Sequence, residues 1–314
     1  MKKYKNSKIF LAGHKGLVGS AIYDKLRLSG YKSLIVKKRK ELDLTNSDKV
    51  LKFLKKTKPD YIIIAAAKVG GIKANKNLSG QFIYENLCIQ NNLIDGAYKI
   101  GVKKLIFLGS SCIYPRLSKQ PIKEKYLLEG PLEKTNEAYA IAKIAGVKMC
   151  EYYNKQYSTN FLSLMPCNTF GKNDNYDLES SHFLPALIKK IYQAKIKNKK
   201  FVKLWGNGKT LREVIYVEDI ANAVIHFLFT NTSHNLINIG TEIEMRIEDY
   251  AKKIMKILGI KIKIKYINKT LTGTPRKVLD CTLAKSYNWK AKISVYDGLK
   301  KTMKDFEKNY LKYN

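Results

Sequence analysis

The stretch Lys8-Ile9-Phe10-Leu11-Ala12-Gly13-His14-Lys15-Gly16-Leu17-Val18-Gly19 places a glycine-rich turn between an apolar run and an amphipathic segment. The run Lys8 to Ala12 predicts a buried strand, Val18 to Leu28 has helical spacing, and a second apolar run covers Ser33 to Val36. A strand, a turn and a helix that lead to another strand make a βαβ unit. This unit favours a parallel sheet, since parallel strands need such a crossover.

Further apolar runs lie at Tyr61 to Ala66, Leu105 to Leu108 and Phe161 to Met165, with segments of helical character between them. Strands that are apolar on both faces require helices on both faces of the sheet. We therefore expect an α/β fold with a doubly wound parallel Rossmann sheet.

The sequence pattern changes after Pro166, where residues 171–181 are polar and loop-like. Beyond them we expect helices at Pro185–Ala194 and Asp249–Leu258 and strands at Phe201–Leu204 and Lys261–Ile267. The apolar runs Val214–Val217 and Leu236–Ile239 are candidates for strands that return to the main sheet. The predicted division is a dinucleotide-binding domain of residues 1–170 plus about 213–240, and a smaller α/β substrate-binding domain of about 171–212 plus 241–314.

The composition is strongly basic, with a formal charge of +33, and basic surfaces attract nucleic acids and anionic membranes. Only six of the 59 basic residues are Arg, and the lysines are scattered over most of the chain. Base and phosphate recognition favours the planar Arg side chain. We therefore interpret the charge as a lysine-rich solvated surface and expect neither a nucleic-acid nor a membrane partner.

The five cysteines contain no CxxC pair and no nearby histidines at ligand spacing, so we expect neither a disulfide framework nor a metal site. The N-terminus has no signal-like apolar stretch, and no window is apolar enough for a membrane span. These features predict a cytoplasmic protein.

The turn after the first strand has the spacing GxxGxxG. Its glycines permit a tight turn, close approach of a pyrophosphate to the backbone and close helix packing, and the helix N-terminus favours the phosphate charge. Three glycines alone often mark only a turn, but this position at the first strand–helix junction predicts a dinucleotide site. The residues assigned to it in this loop are Gly13, Lys15, Gly16, Leu17, Val18 and Gly19.

The second strand runs into Lys37-Lys38-Arg39-Lys40, where NAD-specific sites usually place a carboxylate. This cluster attracts a 2′-phosphate, so NADP(H) is the expected cofactor. Lys37 and Lys40 alone are equally well explained as solvated lysines, whereas the Arg39 guanidinium can also stack on adenine. The small residues Ala65, Ala66 and Ala67 suit either a backbone lying against the cofactor or tight core packing.

Tyr139 and Lys143 are four residues apart, and hence on one face of a helix predicted from about Asn136 to Lys155. We expect the ammonium to stabilise the phenolate and lower the pKa of the tyrosine, which makes proton transfer at neutral pH easier. Such pairs also arise by chance in a chain rich in Tyr and Lys. Position favours function, because Ser110 and Cys112 follow the preceding strand at the ligand-binding edge of the sheet.

The motifs that carry a family resemblance are GxxGxxG, Ala65-Ala66-Ala67-Lys68-Val69-Gly70-Gly71-Ile72, Gly109-Ser110-Ser111-Cys112-Ile113-Tyr114-Pro115, Tyr-x-x-x-Lys, Ser181-His182-Phe183-Leu184-Pro185-Ala186-Leu187 and Gly273-Thr274-Pro275-Arg276-Lys277. In this order, over residues 8 to about 300, they resemble the extended short-chain dehydrogenase/reductases. Among these the chain is most similar to the GDP-L-fucose synthase family, which are GDP-4-keto-6-deoxy-mannose 3,5-epimerase/4-reductases.

The resemblance implies that Ser110, Tyr139 and Lys143 reduce a ketone and that Cys112 and His182 epimerise the sugar. Without the resemblance, Cys112 is best explained as a small buried residue and His182 as a structural histidine at the start of a helix. It also implies cofactor contacts for Lys143, Pro166, Asn168 and His182. Expected contacts to the GDP-linked sugar come from Asn168, Lys189, Trp205, Arg212, Arg276 and Lys277.

Two departures from the family pattern affect the identity of the sugar: Lys15 stands where Arg is frequent, and Lys209-Thr210-Leu211 differs from the usual sequence. A related GDP-4-keto-6-deoxy sugar such as a heptose therefore stays open as a substrate, and so does a 4-reductase without epimerisation.

A hypothesis of another class is a degenerate dinucleotide-binding scaffold that associates with nucleic acid, which the intact Tyr139, Lys143 and Ser110 disfavour. The family resemblance also implies a homodimer. The helices expected to pair are Phe82 to Ile100 and Glu137 to Gln156.

Overall fold

Strands and helices alternate along most of the chain, and the computed structural model describes residues 4–267 and 276–313. The strands are β1 (Ile9–Ala12), β2 (Leu34–Ile35), β3 (Tyr61–Ile64), β4 (Lys104–Leu108), β5 (Phe161–Pro166), β6 (Asn168–Phe170), β7 (Phe201–Trp205), β8 (Leu211–Tyr216), β9 (Leu236–Ile239), β10 (Glu244–Arg246) and β11 (Lys263–Ile267). The α-helices are α1 (Leu17–Leu28), α2 (Ser47–Thr57), α3 (Ile72–Asn77), α4 (Ser79–Lys99), α5 (Glu137–Tyr157), α6 (Phe183–Ile196), α7 (Val217–Leu228), α8 (Ile247–Leu258), α9 (Thr282–Ser286) and α10 (Val295–Lys308).

The main sheet has six parallel strands in the order β2-β1-β3-β4-β5-β9. Every residue of β1, β3 and β4 is buried. Such strands need cover on both faces. The helices supply it: α1 packs against α7, and α4 packs against α2 and α5. The predicted doubly wound α/β sheet is confirmed.

The chain reverses its direction of travel across the sheet at β1. It goes from β1 to β2 on one side and then returns to β3 on the other side. The carboxyl ends of β1 and β3 therefore flank a crevice, which is the usual ligand position in open parallel sheets. Gly13 follows β1 and Ala65 follows β3 at this point.

A second hydrophobic cluster is built from α6, α8 and α10 around two small sheets. One sheet has the order β10-β8-β6, and the other is the parallel pair β11-β7. Large apolar side chains such as Ile191, Tyr250 and Phe306 are fully buried there. Burial of these large apolar side chains stabilises a separate apolar core beside the main sheet.

One of the two runs proposed to return to the main sheet does so. Strand β9 pairs with β5 in parallel, in agreement with the expectation for Leu236 to Ile239. The expectation for Val214 to Val217 is wrong, because β8 pairs with β6 and β10 instead. Hydrophobicity alone does not determine which sheet a buried strand joins.

The last part of the chain contributes to both clusters. Leu279, Cys281 and Trp289 pack into the core of the main sheet, whereas Phe306 packs into the second cluster. The division expected from the sequence, which places residues 241–314 in the second domain, stays a prediction.

No helix within residues 4–267 and 276–313 is long and apolar enough to cross a membrane. All five cysteines are free.

Candidate active site

The glycine loop joins β1 to α1 and has little room for side chains. Gly13 has φ +91°, and a Cβ there would lie 2.6 Å from the Ala66 nitrogen. A Cβ on Gly19 would overlap the Gly13 carbonyl oxygen. By contrast, the nearest atom to a Cβ on Gly16 is 3.7 Å away, so the backbone at the start of α1 is open on that side. An open helix N-terminus suits a pyrophosphate, and these glycines fit a dinucleotide.

The alanines after β3 pack against this loop. The Ala65 nitrogen donates to the Ala12 carbonyl at 3.0 Å, and the Ala65–Ala66 backbone faces Gly13. Ala65, Ala66 and Ala67 remain partly accessible. The close backbone packing explains why their side chains are small, and their accessible surface lies beside the crevice.

Lys15 faces open space beside the start of α1. Lys15 lines an open cavity of about 380 Å³ with His14, Ser20, Asn173 and Tyr313. Burial lowers the pKa of His14, and Lys15 lowers it further.

Arg39 lies beyond β2, and its side chain is 76% exposed. It forms one ion pair, at 3.4 Å, with Glu85. An exposed ion pair of this kind contributes little, so the guanidinium is available to a phosphate. Within the same cluster Lys37 pairs with Glu41, whose carboxylate also accepts from the Lys38 nitrogen.

Ser110, Tyr139 and Lys143 come together where β4 ends and α5 begins. The Lys143 Nζ donates to the Leu108 carbonyl at 2.8 Å and lies 5.9 Å from the centre of the Tyr139 ring. Tyr139 and Ser110 are hydrogen-bonded through their hydroxyls. The Ser110 Oγ also accepts from the Cys112 nitrogen at 3.3 Å. These contacts hold the Ser110 hydroxyl between the Tyr139 phenol and the Cys112 backbone nitrogen.

The expectation that Lys143 lowers the pKa of Tyr139 is wrong for this structure. Burial raises the pKa of Tyr139, the nearby Cys112 raises it further, and the hydrogen bond with Ser110 opposes both effects. Burial also lowers the pKa of Lys143 to about 7. The charged form of each group is therefore destabilised by lost solvation. At neutral pH Tyr139 is a phenol, which is the form that donates a proton.

Cys112 lies in the short 3₁₀ turn Ser111–Ile113 and is half-buried. The Lys277 Nζ is 3.6 Å from its Sγ. Beside them is a small cavity of about 20 Å³, which Glu133 and Asn136 also line. A cavity of this size holds about one water molecule.

His182 immediately precedes α6, and its side chain does not cap that helix. The residue is exposed at the surface of the cleft, and desolvation by the surrounding protein lowers the pKa of its imidazole, with a smaller contribution from Lys277. Gly71 determines the path of the preceding loop, because a Cβ there would overlap the Ser181 carbonyl. The Gly71 nitrogen donates to the Ser180 carbonyl at 2.6 Å. The motif Ala65 to Ile72 thus positions the segment that carries His182.

Arg212 on β8 is largely enclosed, and burial lowers the pKa of its guanidinium to about 10. Cys112 and Glu133 are near enough to oppose this shift. Asn168 follows Pro166 at the start of β6, and its Nδ2 donates to the Glu213 carbonyl at 3.1 Å. Arg212 and Asn168 therefore lie where the main sheet meets the second cluster.

Lys189, Arg276 and Lys277 were expected to contact the substrate, and this stays a prediction; the structure shows where their side chains lie. The Lys189 Nζ is directed to the Tyr313 carbonyl, at 2.7 Å, and Lys190 instead lies 4.8 Å over the half-exposed ring of Trp205. Arg276 pairs with Glu244 near the surface, whereas its neighbour Lys277 reaches Cys112.

Sequence reasoning missed Lys190, although a signal for it was present. From His182, steps of four residues along α6 lead to Ala186 and Lys190, and such positions share one face of a helix. Burial lowers the pKa of Lys190, in keeping with its place against Trp205.

Comparison with known proteins gives a consistent result. Residues 9–240 match the model of the NAD dependent epimerase/dehydratase family. The chain is 47% identical to a GDP-L-fucose synthase of Sinorhizobium fredii, with 96% of each sequence covered. It is 43% identical to the GDP-L-fucose synthase of Escherichia coli, covering 96% of this chain and 97% of that protein. A crystal structure of a GDP-6-OMe-4-keto-L-xylo-heptose reductase from C. jejuni has a TM-score of 0.89 and 36% identity, with 98% of this chain and 99% of that chain covered.

Proposed function

Because the chain belongs to the NAD dependent epimerase/dehydratase family, we propose that it converts GDP-4-keto-6-deoxy-D-mannose to GDP-L-fucose by epimerisation at C3 and C5 and reduction at C4. The observation that carries the proposal is the convergence of Ser110, Cys112, Tyr139 and Lys143 at one edge of the sheet. Similarity to GDP-L-fucose synthases over nearly the whole chain supports the substrate.

NADP(H) is the cofactor in this proposal. The glycine loop fits a pyrophosphate, because Gly16 is open while Gly13 and Gly19 leave no room for side chains. Lys15 and Arg39 would bind the 2′-phosphate, since both are exposed cations beside the crevice. When bound, NADPH supplies the hydride for reduction of the ketone.

Epimerisation needs a base and an acid on opposite faces of the sugar. A C4 ketone acidifies the protons on C3 and C5, so the Cys112 thiolate can remove one while the electron pair moves to the C4 oxygen. Ser110 and Tyr139 stabilise the resulting enolate by hydrogen bonds to that oxygen. His182 then returns a proton to carbon from the other face, and this inverts the centre.

Reduction at C4 uses Tyr139 as the acid. Burial keeps the phenol protonated at neutral pH, and its proton passes to the C4 oxygen as negative charge develops there. Ser110 holds the same oxygen by a hydrogen bond. Lys143, on the next turn of α5, positions this end of the helix through the Leu108 carbonyl.

The GDP moiety is assigned to the side of the cleft formed by the second cluster. Arg212 supplies positive charge for the diphosphate, and a half-exposed Trp205 with Lys190 over its ring offers a stacking surface for the base. Asn168, at the junction of the two clusters, would contact the sugar.

A second candidate is C4 reduction of a related GDP-4-keto sugar such as a heptose. The likeness to a solved GDP-heptose reductase and the unusual segment Lys209 to Leu211 favour it. We would measure kcat/KM for NADPH oxidation with GDP-4-keto-6-deoxy-D-mannose and with the corresponding heptose. A value at least tenfold higher for the mannose derivative supports the proposal. A preference for the heptose favours the second candidate, and no oxidation with either contradicts both.

We also assign the enzyme to the cytoplasm and expect a homodimer. The helices α4 and α5 pack together and carry exposed apolar side chains at Tyr84, Ile141 and Tyr152. Such side chains on adjoining helices suit a subunit contact. Light scattering should give about twice the chain mass of 36.0 kDa, and a monomer mass at micromolar concentration would contradict the dimer.

A further inference from the structure

Two adjacent cations at the C-terminal side of the cleft have different surroundings. Arg276 donates from Nε to both carboxylate oxygens of Glu244, at 2.8 and 2.9 Å, and is about half exposed. The Lys277 Nζ points to the interior and donates to the Cys112 Sγ at 3.6 Å. Lys277 therefore contacts a reacting group, and Arg276 does not.

The backbone on both sides of Lys277 is held in place. The Lys277 carbonyl accepts from the Glu213 nitrogen at 3.3 Å, and the Leu279 nitrogen donates to the Glu213 Oε2 at 2.9 Å. The intervening Val278 donates to the Gln120 Oε1 at 3.0 Å, and its carbonyl accepts from Ile122 at 2.8 Å. One strand of the second cluster and one loop near Cys112 thus fix the position of the lysine.

The Glu213 carboxylate is itself an anchor with no exposed surface. Its Oε1 accepts from the nitrogens of Thr241, at 2.5 Å, and Glu242, at 2.7 Å. Gly240 leaves the space for it, because a Cβ there would overlap this oxygen. The Glu213 carboxylate is thus occupied by backbone donors, and the Lys277 ammonium is directed to the Cys112 sulfur.

The charged and titratable groups that face Cys112 come from four separate segments of the chain. Lys277 contacts the sulfur, and Arg212 on β8 is near enough to interact with it. Tyr139 on α5 is the neighbouring phenol, and Glu133 lines the same small cavity. Two cations and one carboxylate thus lie around the Cys112 sulfur, and the Lys277 ammonium is the cation in direct contact with it.

We propose that Lys277 is the positioning residue that holds Cys112 as a thiolate with its sulfur oriented for epimerisation. This inference rests on the proposed function. In the step concerned, the sugar C–H bond breaks, an S–H bond forms on Cys112, and the electron pair passes to the C4 oxygen. His182 delivers the proton that completes the inversion, and Lys277 keeps its own proton throughout. C4 reduction needs only Ser110, Tyr139 and Lys143, so Lys277 serves one half-reaction and not the other.

The first test measures alkylation of Cys112 by iodoacetamide, followed by peptide mass spectrometry between pH 6 and 10. Lys277→Met and Lys277→Gln should slow alkylation at pH 7 at least tenfold, with the wild-type rate regained only at high pH. Lys123→Met is the matched control, because it removes one exposed lysine from the segment next to Ile122. Half-buried Cys88 serves as the internal reference. Unchanged Cys112 rates across the pH range in both Lys277 variants would overturn the proposal.

The second test separates the two half-reactions in D₂O with GDP-4-keto-6-deoxy-D-mannose and NADPH. In Lys277→Met, the rate of deuterium incorporation at C3 and C5 should fall at least tenfold more than the rate of C4 reduction. Lys277→Arg should restore part of the incorporation. A raised KM with incorporation and reduction equally retained would instead assign Lys277 to substrate binding. If the wild-type enzyme does not turn over this sugar, the proposed function fails, while the alkylation rates still decide the role of Lys277.

Discussion

At the scale of single residues, the burial of Tyr139 agrees with its proposed function as an acid. A phenol whose pKa is raised is a poor base, but ketone reduction needs an acid at this position. Lys143 has lost much of its solvation too, and its main contact is a backbone carbonyl. In the proposed mechanism Tyr139 is the proton donor and Lys143 supports it, and we infer that a bound cofactor and substrate complete the site.

We predict that Tyr139→Phe lowers kcat for NADPH oxidation by about a hundredfold to ten-thousandfold, the usual contribution of a general acid. Deuterium exchange at C3 and C5 should persist at a reduced rate, because Cys112 and His182 are intact while Ser110 alone stabilises the enolate. Steady-state kinetics and mass spectrometry measure the two effects. Tyr157→Phe, an exposed residue at the end of the same helix, is the control and should change neither. Wild-type reduction by Tyr139→Phe would remove the phenol from the mechanism.

We predict that Arg39→Ala raises the KM for NADPH about tenfold to a hundredfold and leaves the KM for NADH nearly unchanged. The reason is the loss of a charged hydrogen bond to the 2′-phosphate, which is worth about 1.5–3 kcal/mol. Arg27→Ala removes another exposed arginine, from α1, and is the matched control. An equal change for both cofactors would mean that Arg39 does not recognise the phosphate.

At the scale of secondary-structure elements, two junctions determine the site. The β1–α1 turn brings the backbone of Gly13, Gly19 and Ala66 into close contact, so the start of α1 faces the crevice. The β4–α5 region brings Ser110 and Tyr139 together, although 28 residues separate them in the sequence. Both junctions lie at the carboxyl edge of the sheet, where parallel strands place their ligands.

We predict that Gly19→Ala destabilises the protein by more than about 2 kcal/mol and abolishes NADPH binding, because the new methyl group overlaps the Gly13 carbonyl. Urea unfolding and fluorescence titration measure the two quantities. Gly80→Ala in α4 is the control, since nothing lies within 4 Å of its Cβ. That variant should gain about 0.5–1 kcal/mol from helix propensity. Normal NADPH binding by Gly19→Ala would contradict the assigned loop geometry.

A buried lysine at the start of β4 should give a pH-dependent stability. Lys104 is 2% exposed, its Nζ donates to the Thr230 carbonyl at 2.6 Å, and burial lowers its pKa to about 8. Because this value lies below that of an unfolded lysine, the unfolded state binds more protons between pH 8 and about 10.5. The wild-type free energy of unfolding therefore gains about 3 kcal/mol from this group as the pH rises through that window.

Lys104→Met lacks this titration, so its stability relative to the wild type should be greatest below pH 8 and should fall towards pH 10. Urea unfolding of both proteins at pH 7 and pH 10 measures the difference. Lys103→Met is the control, because Lys103 is 65% exposed and paired with Asp60. A difference between Lys104→Met and the wild type that does not change with pH would contradict the burial effect.

At the scale of the whole molecule, the chain forms two apolar cores with the reaction centre between them. Cys112 and Tyr139 come from the region of the main sheet, whereas Arg212 lies on β8 of the second cluster. Lys277 joins the two, since its side chain reaches Cys112 and its carbonyl accepts from Glu213. The cleft therefore needs both cores to be folded and correctly placed.

Much of this arrangement was predictable from the sequence, because it depends on the spacing of residues that are close together in the chain. The glycine spacing after a buried strand predicts the β1–α1 turn, and the four-residue step from Tyr139 to Lys143 predicts a shared helix face. Long-range pairing is not local, so the apolar run at Val214 gave no sign of its partner strands β6 and β10. A shift of one residue rotates a helical side chain by about 100°, which separates Lys189 from Lys190.

The central claim is that one cleft both epimerises and reduces a GDP-4-keto-6-deoxy sugar. Its most direct test is the deuterium content at C3 and C5 of the product formed from GDP-4-keto-6-deoxy-D-mannose and NADPH in D₂O, determined by NMR. The account predicts GDP-L-fucose that carries deuterium at both carbons. A product reduced at C4 with no deuterium at C3 or C5 would contradict it and would leave a simple 4-reductase.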